Sequence, residues 1–267
     1  MSLGYVSERD VLNQAIDACY GAAERHRITF HIRKDFNEYV AVRGAHGDIH
    51  LNQAFDPAFT NFDYLDFWVL GENFKSEAIV TYCVRHFKVA DFYTLIRSQA
   101  LWFGPRLRAV DPTFMLKYTI PPFGGQVTHG GGLWIRRDYR GYSGLAQIIP
   151  RFARSVAFLH WPADHDSAMI RNDPSDTPQL ADRKAVFMGT RTYGFARVGR
   201  FVNGWFPPEE RHAIMHLCHV TRAEALLALS VTSQNIAPLR PIPPSGRVRL
   251  LTQEDGPRAA PSLRAAG

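Results

Sequence analysis

Cysteine is scarce in this sequence. Its three, Cys19, Cys83 and Cys218, are odd in number and far apart, which excludes a disulfide framework and makes the reducing cytoplasm the expected compartment. Long apolar runs are missing too. None approaches the roughly 18 residues of a membrane-spanning helix, and Met1 to Asp10 has no signal-peptide core. Neither sign of charge dominates: 31 Lys and Arg stand against 25 Asp and Glu, a net +6. No basic stripe interleaved with aromatics runs at base-stacking spacing, so no nucleic-acid partner is expected. No internal repeat occurs. A Gly-x-Ser-x-Gly elbow is also absent, because Leu145 stands where the glycine after Ser143 would be needed, and this disfavours a hydrolase.

What is present suits a core-forming fold. The chain has 267 residues, 46% hydrophobic and 21% charged, enough for one large domain. Ser7 and Asp10 form a capping-box pattern ahead of a helix over 7–26. Alternation predicts a strand at Arg27 to Lys34; a second strand is expected at Tyr39 to Arg43, then a long connection from Gly44 to Asn61. Phe67 to Leu70 and Glu77 to Val89 read as paired strands, and Asp91 to Phe103 as one helix. A turn-rich stretch, Gly104 to Gly125, leads to a strand at Gln126 to Ile135 that carries Gly130, Gly131 and Gly132. Such glycines point to a bulge or to a ligand pressed against the backbone. A helix follows from Leu145, with Pro150 predicting a kink or a later start. Beyond it lie strands at Asp166 to Arg171, Phe195 to Val202 and His212 to Val220, a helix at Leu180 to Gly189, and a capped helix from Thr221 to Ser230. The class is mixed α/β (α+β).

The domain is expected to span 1–234. Residues 235–267 form a Pro/Arg/Ala-rich tail, extended or disordered, holding six of the 17 prolines. Arg240, Arg247, Arg249, Arg258 and Arg264 outweigh Glu254 and Asp255 there, so half of the net +6 belongs to the tail. Within the domain, Arg136, Arg137, Arg140, Arg151 and Arg154 cluster around one loop.

That loop is the most informative segment: Leu133-Trp134-Ile135, then Arg140-Gly141-Tyr142-Ser143-Gly144-Leu145-Ala146. A strand runs through an Arg/Gly loop into a helix. Amides at a helix N-terminus can bind a phosphate, glycines let the backbone approach it closely, and Arg140 adds charge. The competing reading is an ordinary strand-to-helix turn that happens to contain glycine.

The stretch resembles motif A of the GNAT superfamily, the CoA-dependent N-acetyltransferases, with one extra residue between Arg140 and Gly144. The resemblance extends over roughly Ile28 to Leu229, and only the Arg/Gly loop is specific. It implies a twisted, mixed, largely antiparallel sheet flanked by helices, with two central strands splayed to admit pantetheine near Asp166 to Ile170. It also implies that the loop amides hold the pyrophosphate of acetyl-CoA or another acyl-CoA. The amine acceptor, a small molecule or a protein, would then attack the thioester directly. Tyr193-Gly194-Phe195 resembles the family's Gly-Phe lead-in to a late strand.

The sequence departs from the family pattern in three further ways. Pro150 interrupts the helix, Thr190 occupies the usual general-acid tyrosine position, and Gln126 to Ile135 contains no carboxylate base. His129, the only titratable side chain in that strand, is the candidate base, against the reading of a structural histidine. Tyr193 is the candidate acid toward the departing thiolate, against the reading of a core aromatic. Strand amides freed by the bulge could polarise the carbonyl.

The remaining constellations point less far. His212, His216 and His219 lie in a strand pattern that puts His219 on the opposite face, and Asp164-His165-Asp166 with His160 has no recognised ligand spacing, so no metal is expected. Asp164 and Asp166 could instead help bind an amine. The abundant aromatics, Trp68, Trp102, Trp134 and Trp161 among them, read as core, or alternatively as lining for an apolar pocket. That alternative keeps two other functions open: a long-chain transferase of the acyl-homoserine-lactone or N-acyl amino acid synthase kind, and a non-catalytic CoA- or ligand-binding protein. A homodimer is compatible with the sequence.

Overall fold

A computed structural model of the chain describes residues 6–47, 51–104, 120–141, 144–173, 175–202 and 214–235. The tail from 236 onward and most of the 104–125 stretch therefore lie outside the described residues, as does His212.

The first helix, α1 (Glu8–Glu24), starts where the capping box places it. Asp10 N donates to Ser7 Oγ, and Ser7 N donates back to Asp10 Oδ2. Its apolar face buries Leu12, Ala15, Cys19, Ala22 and Ala23. Strand β1 (Ile28–Arg33) follows and buries Ile28 and Phe30, while Ile32 on the same face is exposed at its end.

The strand predicted at Tyr39 to Arg43 is instead part of helix α2 (Phe36–Ala45). Five residues, Tyr39 to Arg43, cannot outweigh a strong local start signal: Asp35 Oδ1 caps Asn37 N at 2.8 Å. The i,i+4 pair Tyr39 and Arg43 also hydrogen-bonds, Arg43 Nη1 donating to Tyr39 Oη at 2.8 Å. A single 3-10 turn, Gln53–Phe55, interrupts the long connection that follows.

Strands β2 (Phe67–Asn73) and β3 (Ala78–Val89) form the expected hairpin with a shorter turn. The helix expected over Asp91 to Phe103 is broken into α3 (Phe92–Arg97) and α4 (Ala100–Phe103) by Gln99, whose φ of 59° no helix accommodates. Next comes β4 (Gly125–Ile135), then α5 (Leu145–His160), which runs unbroken past a buried Pro150. After β5 (His165–Arg171) come α6 (Pro178–Val186), a π-helical stretch Phe187–Thr192, β6 (Arg197–Val202), β7 (Ile214–Thr221) and α7 (Arg222–Asn235). Glu224 N donates to Thr221 Oγ1 at 3.3 Å and Thr221 N donates to Glu224 Oε2 at 3.0 Å, as the second capping box requires.

The strands form one sheet in the order β1-β2-β3-β4-β5-β7-β6. Every neighbouring pair is antiparallel except β4 and β5. Helices α1 and α5 pack on one face, where Ile148, Ile149 and Phe152 meet Phe30, Val69 and Val80. The turn at Gln53–Phe55 and α2, α3 and α4 cover the other face, bringing Phe55, Tyr39, Phe92 and Trp102 over Trp68 of β2. Each fully buried aromatic or aliphatic side chain contributes roughly 1.5–3 kcal/mol. A third cluster, with Leu12, Phe158, Ala168 and Cys218, packs α1 and α5 onto β5 and β7, so the parallel pair lies between two packed regions. Among the described residues, no helix is long and apolar enough to cross a membrane.

Candidate active site

Strand β4 does not stay in register with β3. Cys83 pairs with Gly131, yet Thr81 pairs with Trp134, so Gly132 and Leu133 together face Tyr82. This is a bulge, and Gly132 supplies the φ of +62° that it needs. The bulge bends β4 away from its parallel neighbour. Pairing between β4 and β5 ends at Gly130 and Ala168, although β5 continues alongside β7 to Arg171.

A cavity of about 480 Å³ opens in the resulting gap, lined by Gly131 to Leu133 from β4 and Ala168 to Arg171 from β5. It crosses the sheet. Tyr82, whose ring packs in the α1/α5 core, and Tyr193 line it on one side. Arg43, Asn52, Asp56, Phe59, Trp102 and Met215 line it on the other.

The Arg/Gly loop lies at the same end of β4. Gly141 has a φ of +83°, with no atom within 4 Å of where a side chain would start. Gly144, at φ +60°, caps α5 without any side-chain hydrogen bond. Gly144 opens a 16-residue helix, and a phosphate is favoured by the dipole at such a start. Tyr142 and Ser143 lie outside the described residues. Leu145 is buried in the core and Ala146 is half-buried.

The preceding strand residues divide between the faces. Leu133 reaches the cavity, and Ile135 packs toward α5. Trp134 turns to the opposite face, its ring 4.7 Å from His46.

The arginine cluster serves the protein itself more than the loop. Arg140 Nε donates to Ile135 O at 2.8 Å, and Arg136 pairs with Glu77 and Asp138. Arg154, 3% exposed, donates from Nε to Asp166 Oδ2 at 2.6 Å. Its Nη1 and Nη2 donate to the carbonyls of Gly194 and Tyr193 at 3.2 and 3.3 Å. Arg151 Nη1 holds the carbonyl of Thr192 at 2.8 Å. Burial, then the charge of Arg154, lowers the Arg151 pKa to about 10. Two arginines of α5 thus pin the segment that carries Tyr193.

Tyr193 lines the cavity, and burial with Cys218 nearby raises its phenol to about 12. The group therefore stays protonated across the neutral range.

His129 is placed differently. It sits in the paired part of β4, 1% exposed and off the cavity lining, between the rings of Phe55 and Phe92. Ser167 Oγ donates its one proton to Thr128 O at 3.0 Å, so the contact at 3.0 Å between His129 Nδ1 and Ser167 Oγ fixes the proton on Nδ1. Burial, then Arg85, lowers the imidazole to about 3. The native state holds it neutral, whereas the unfolded chain protonates it below about 6.5. Its stabilising contribution is therefore full above about pH 6.5 and drains away as pH falls toward 3. His219, lowered to about 4 by burial and His165, adds in the same sense. Urea midpoints should fall steadily between pH 7 and 4.5, less steeply in His129→Asn. Equal slopes in the two proteins would contradict the assignment.

Asp164 and Asp166, which the sequence offered to an amine, are engaged internally. Asp164 accepts from Gln126 N at 2.9 Å, and Asp166 accepts from Arg154 and from Thr128 Oγ1. His216 and His219 do point to opposite faces of β7, one to Asn172 and Asp182, the other to His165. Cys83 and Cys218 are buried thiols, as expected. Among the described residues, no three His, Cys, Asp or Glu side chains converge as metal ligands. Sequence reasoning missed Tyr82, Arg43 and the Arg154–Asp166 pair. Each is brought to the site by long-range packing and carries no local motif.

No protein-family profile matches the chain. No curated protein matches it either. Among solved structures, the chain is similar to a variant of spermidine N-acetyltransferase from Vibrio cholerae. That match has a TM-score of 0.45 and 10% identity, over 75% of this chain and 96% of the other. The Vibrio cholerae enzyme in complex with CoA and spermine gives a TM-score of 0.37 and 13% identity, over 85% and 96%. A protein described as a phosphinothricin N-acetyltransferase gives 0.37 and 11%, over 73% and 98%. All three bear the name N-acetyltransferase. The sheet itself has the largely antiparallel layout and the parted parallel pair that the likeness of the Arg140 to Ala146 stretch to motif A implies.

Proposed function

We propose that the chain is an acyl-CoA-dependent N-acyltransferase, with acetyl the acyl group, moving it to an amine by direct attack on the thioester. The observation that carries this reading is the cavity through the sheet where β4 and β5 part. A passage crossing a sheet lets two substrates meet from opposite faces, which a surface cleft does not. Gly141, Gly144 and the first turn of α5 would hold the pyrophosphate, and the pantetheine arm would run past Leu133 into the gap. The thioester supplies an activated acyl carbon. The acceptor amine would enter on the side of Asn52, Asp56, Phe59 and Trp102.

Tyr193 is assigned as the acid that gives its proton to the leaving thiolate. His129 is assigned to structure: a buried imidazole lowered to about 3 accepts a proton poorly at neutral pH. The cavity volume falls within the roughly 300–1,000 Å³ of ordinary ligand pockets, which suits a pantetheine arm with a short acyl group.

Release of free thiol from acetyl-CoA over a panel of amines tests the proposal. Amine-dependent release is expected. Binding of CoA species with no release over the panel would favour the non-catalytic reading, and faster release from long-chain acyl-CoA would favour the long-chain one.

A further inference from the structure

We propose that Tyr82 is a further substrate-contacting residue of this cavity, its hydroxyl donating a hydrogen bond to the thioester carbonyl oxygen where β4 and β5 part. The proposal rests on the acyltransferase reading above and deepens it.

Tyr82 lies in the middle of β3, directly opposite the bulge formed by Gly132 and Leu133. Its side chain leans along the sheet toward the last pair of the β4–β5 ladder. A Cβ on Gly130 would collide with the Tyr82 hydroxyl and lie 2.8 Å from Cζ. Glycine at 130 therefore does more than loosen a strand: it makes the room in which this hydroxyl sits. Tyr82 is 6% exposed, and what remains open of it faces the cavity.

The hydroxyl is otherwise unused. Two other deep tyrosines are satisfied, Tyr39 Oη accepting from Arg43 at 2.8 Å and Tyr93 Oη donating to Ile120 O at 2.8 Å. Among the described residues, none hydrogen-bonds Tyr82 Oη. The hydroxyl borders the cavity, where water or a ligand can complete it. Burial raises the phenol well above its ordinary value, so the group is an O–H donor and not a base.

The chemistry balances with two tyrosines in different roles. The amine nitrogen forms a bond to the acyl carbon, and the carbonyl oxygen gains negative charge that the Tyr82 O–H stabilises without transferring its proton. The C–S bond then breaks, the thiolate takes the Tyr193 proton, and solvent returns one to Tyr193. The ammonium proton of the new amide leaves to water.

Tyr82→Phe keeps the ring and removes only the donor. Calorimetric titration of wild type and variant with CoA and with acetyl-CoA reads the contact whether or not turnover is fast. The acetyl-CoA affinity should fall about tenfold and the CoA affinity stay within about twofold, because CoA has no thioester carbonyl. The melting temperature should be unchanged or higher, since no protein hydrogen bond is lost, and kcat should fall at least tenfold. Equal affinities for acetyl-CoA in the two proteins would overturn the proposal, as would equal losses for CoA and acetyl-CoA. Wild type that binds neither ligand would overturn the acyltransferase reading, and this contact with it.

Discussion

Asp166→Ala is expected to destabilise the protein by about 3–5 kcal/mol, the range found when one partner of a buried ion pair is removed. The substitution leaves Arg154, 3% exposed, without its carboxylate, and removes the acceptor of Thr128 Oγ1 at 2.6 Å. No solvent reaches the guanidinium to compensate. Its remaining partners are the neutral carbonyls of Tyr193 and Gly194, with the Phe195 ring 4.4 Å beneath it. Replacing both members with apolar residues, as in Asp166→Ala with Arg154→Met, should recover much of the loss, because no buried charge is then stranded. The double variant should still turn over slowly, since the carbonyls of 193 and 194 lose their donors. Chemical denaturation of the three proteins checks this. A loss below about 1 kcal/mol in Asp166→Ala would mean the pair is far more hydrated than its burial indicates.

Tyr193→Phe is expected to lower kcat about a hundredfold while leaving the melting temperature nearly unchanged, the lower end of what a positioned acid contributes. An acid must be protonated to act. With its phenol raised to about 12, Tyr193 stays competent throughout the neutral and mildly alkaline range, and its activity is lost only as pH rises through about 12. The kcat profile of the wild type should therefore show no falling limb near the ordinary tyrosine value of about 10. A falling limb near 10, or a kcat within threefold of wild type in the variant, would remove Tyr193 from the role. The Tyr82 and Tyr193 variants are expected to separate by ligand: loss of the Tyr82 hydroxyl should weaken acetyl-CoA binding, whereas loss of the Tyr193 hydroxyl should slow the step in which the thiolate leaves.

Local signals in the sequence located much of the fold. The two capping boxes, at Ser7 with Asp10 and Thr221 with Glu224, are legible because a cap is a contact over three residues. The bulge in β4 is legible because glycines inside a strand pattern mark one, and a Cβ on Gly132 would lie 2.7 Å from Tyr39 Oη. Helix α2 was hidden because Tyr39 to Val42 is an apolar run too short to reveal its period, and the break at Gln99 has no glycine or proline to announce it. Pro150 misleads in the opposite sense, since α5 absorbs it within a buried, well-packed face.

The site divides in the same way. The Arg/Gly loop and Tyr193 could be nominated from local pattern. His129 could be nominated but not placed, because whether a strand side chain meets a cavity depends on where the ladder ends: two residues before Gly131, it faces Phe55 and Phe92 instead. Tyr82 reads as one more apolar-face residue of β3. What distinguishes it is a glycine 48 positions away that leaves its hydroxyl room, a relation fixed only by the register of β3 on β4.

Titration of the wild-type protein with acetyl-CoA tests the central claim most directly. An acyl-CoA passage between β4 and β5, anchored at the start of α5, predicts saturable binding at one site per chain, with loss of affinity when Gly144 is replaced by valine at its φ of +60°. Absence of heat and of any thermal shift with acetyl-CoA, CoA and long-chain acyl-CoA alike would contradict it.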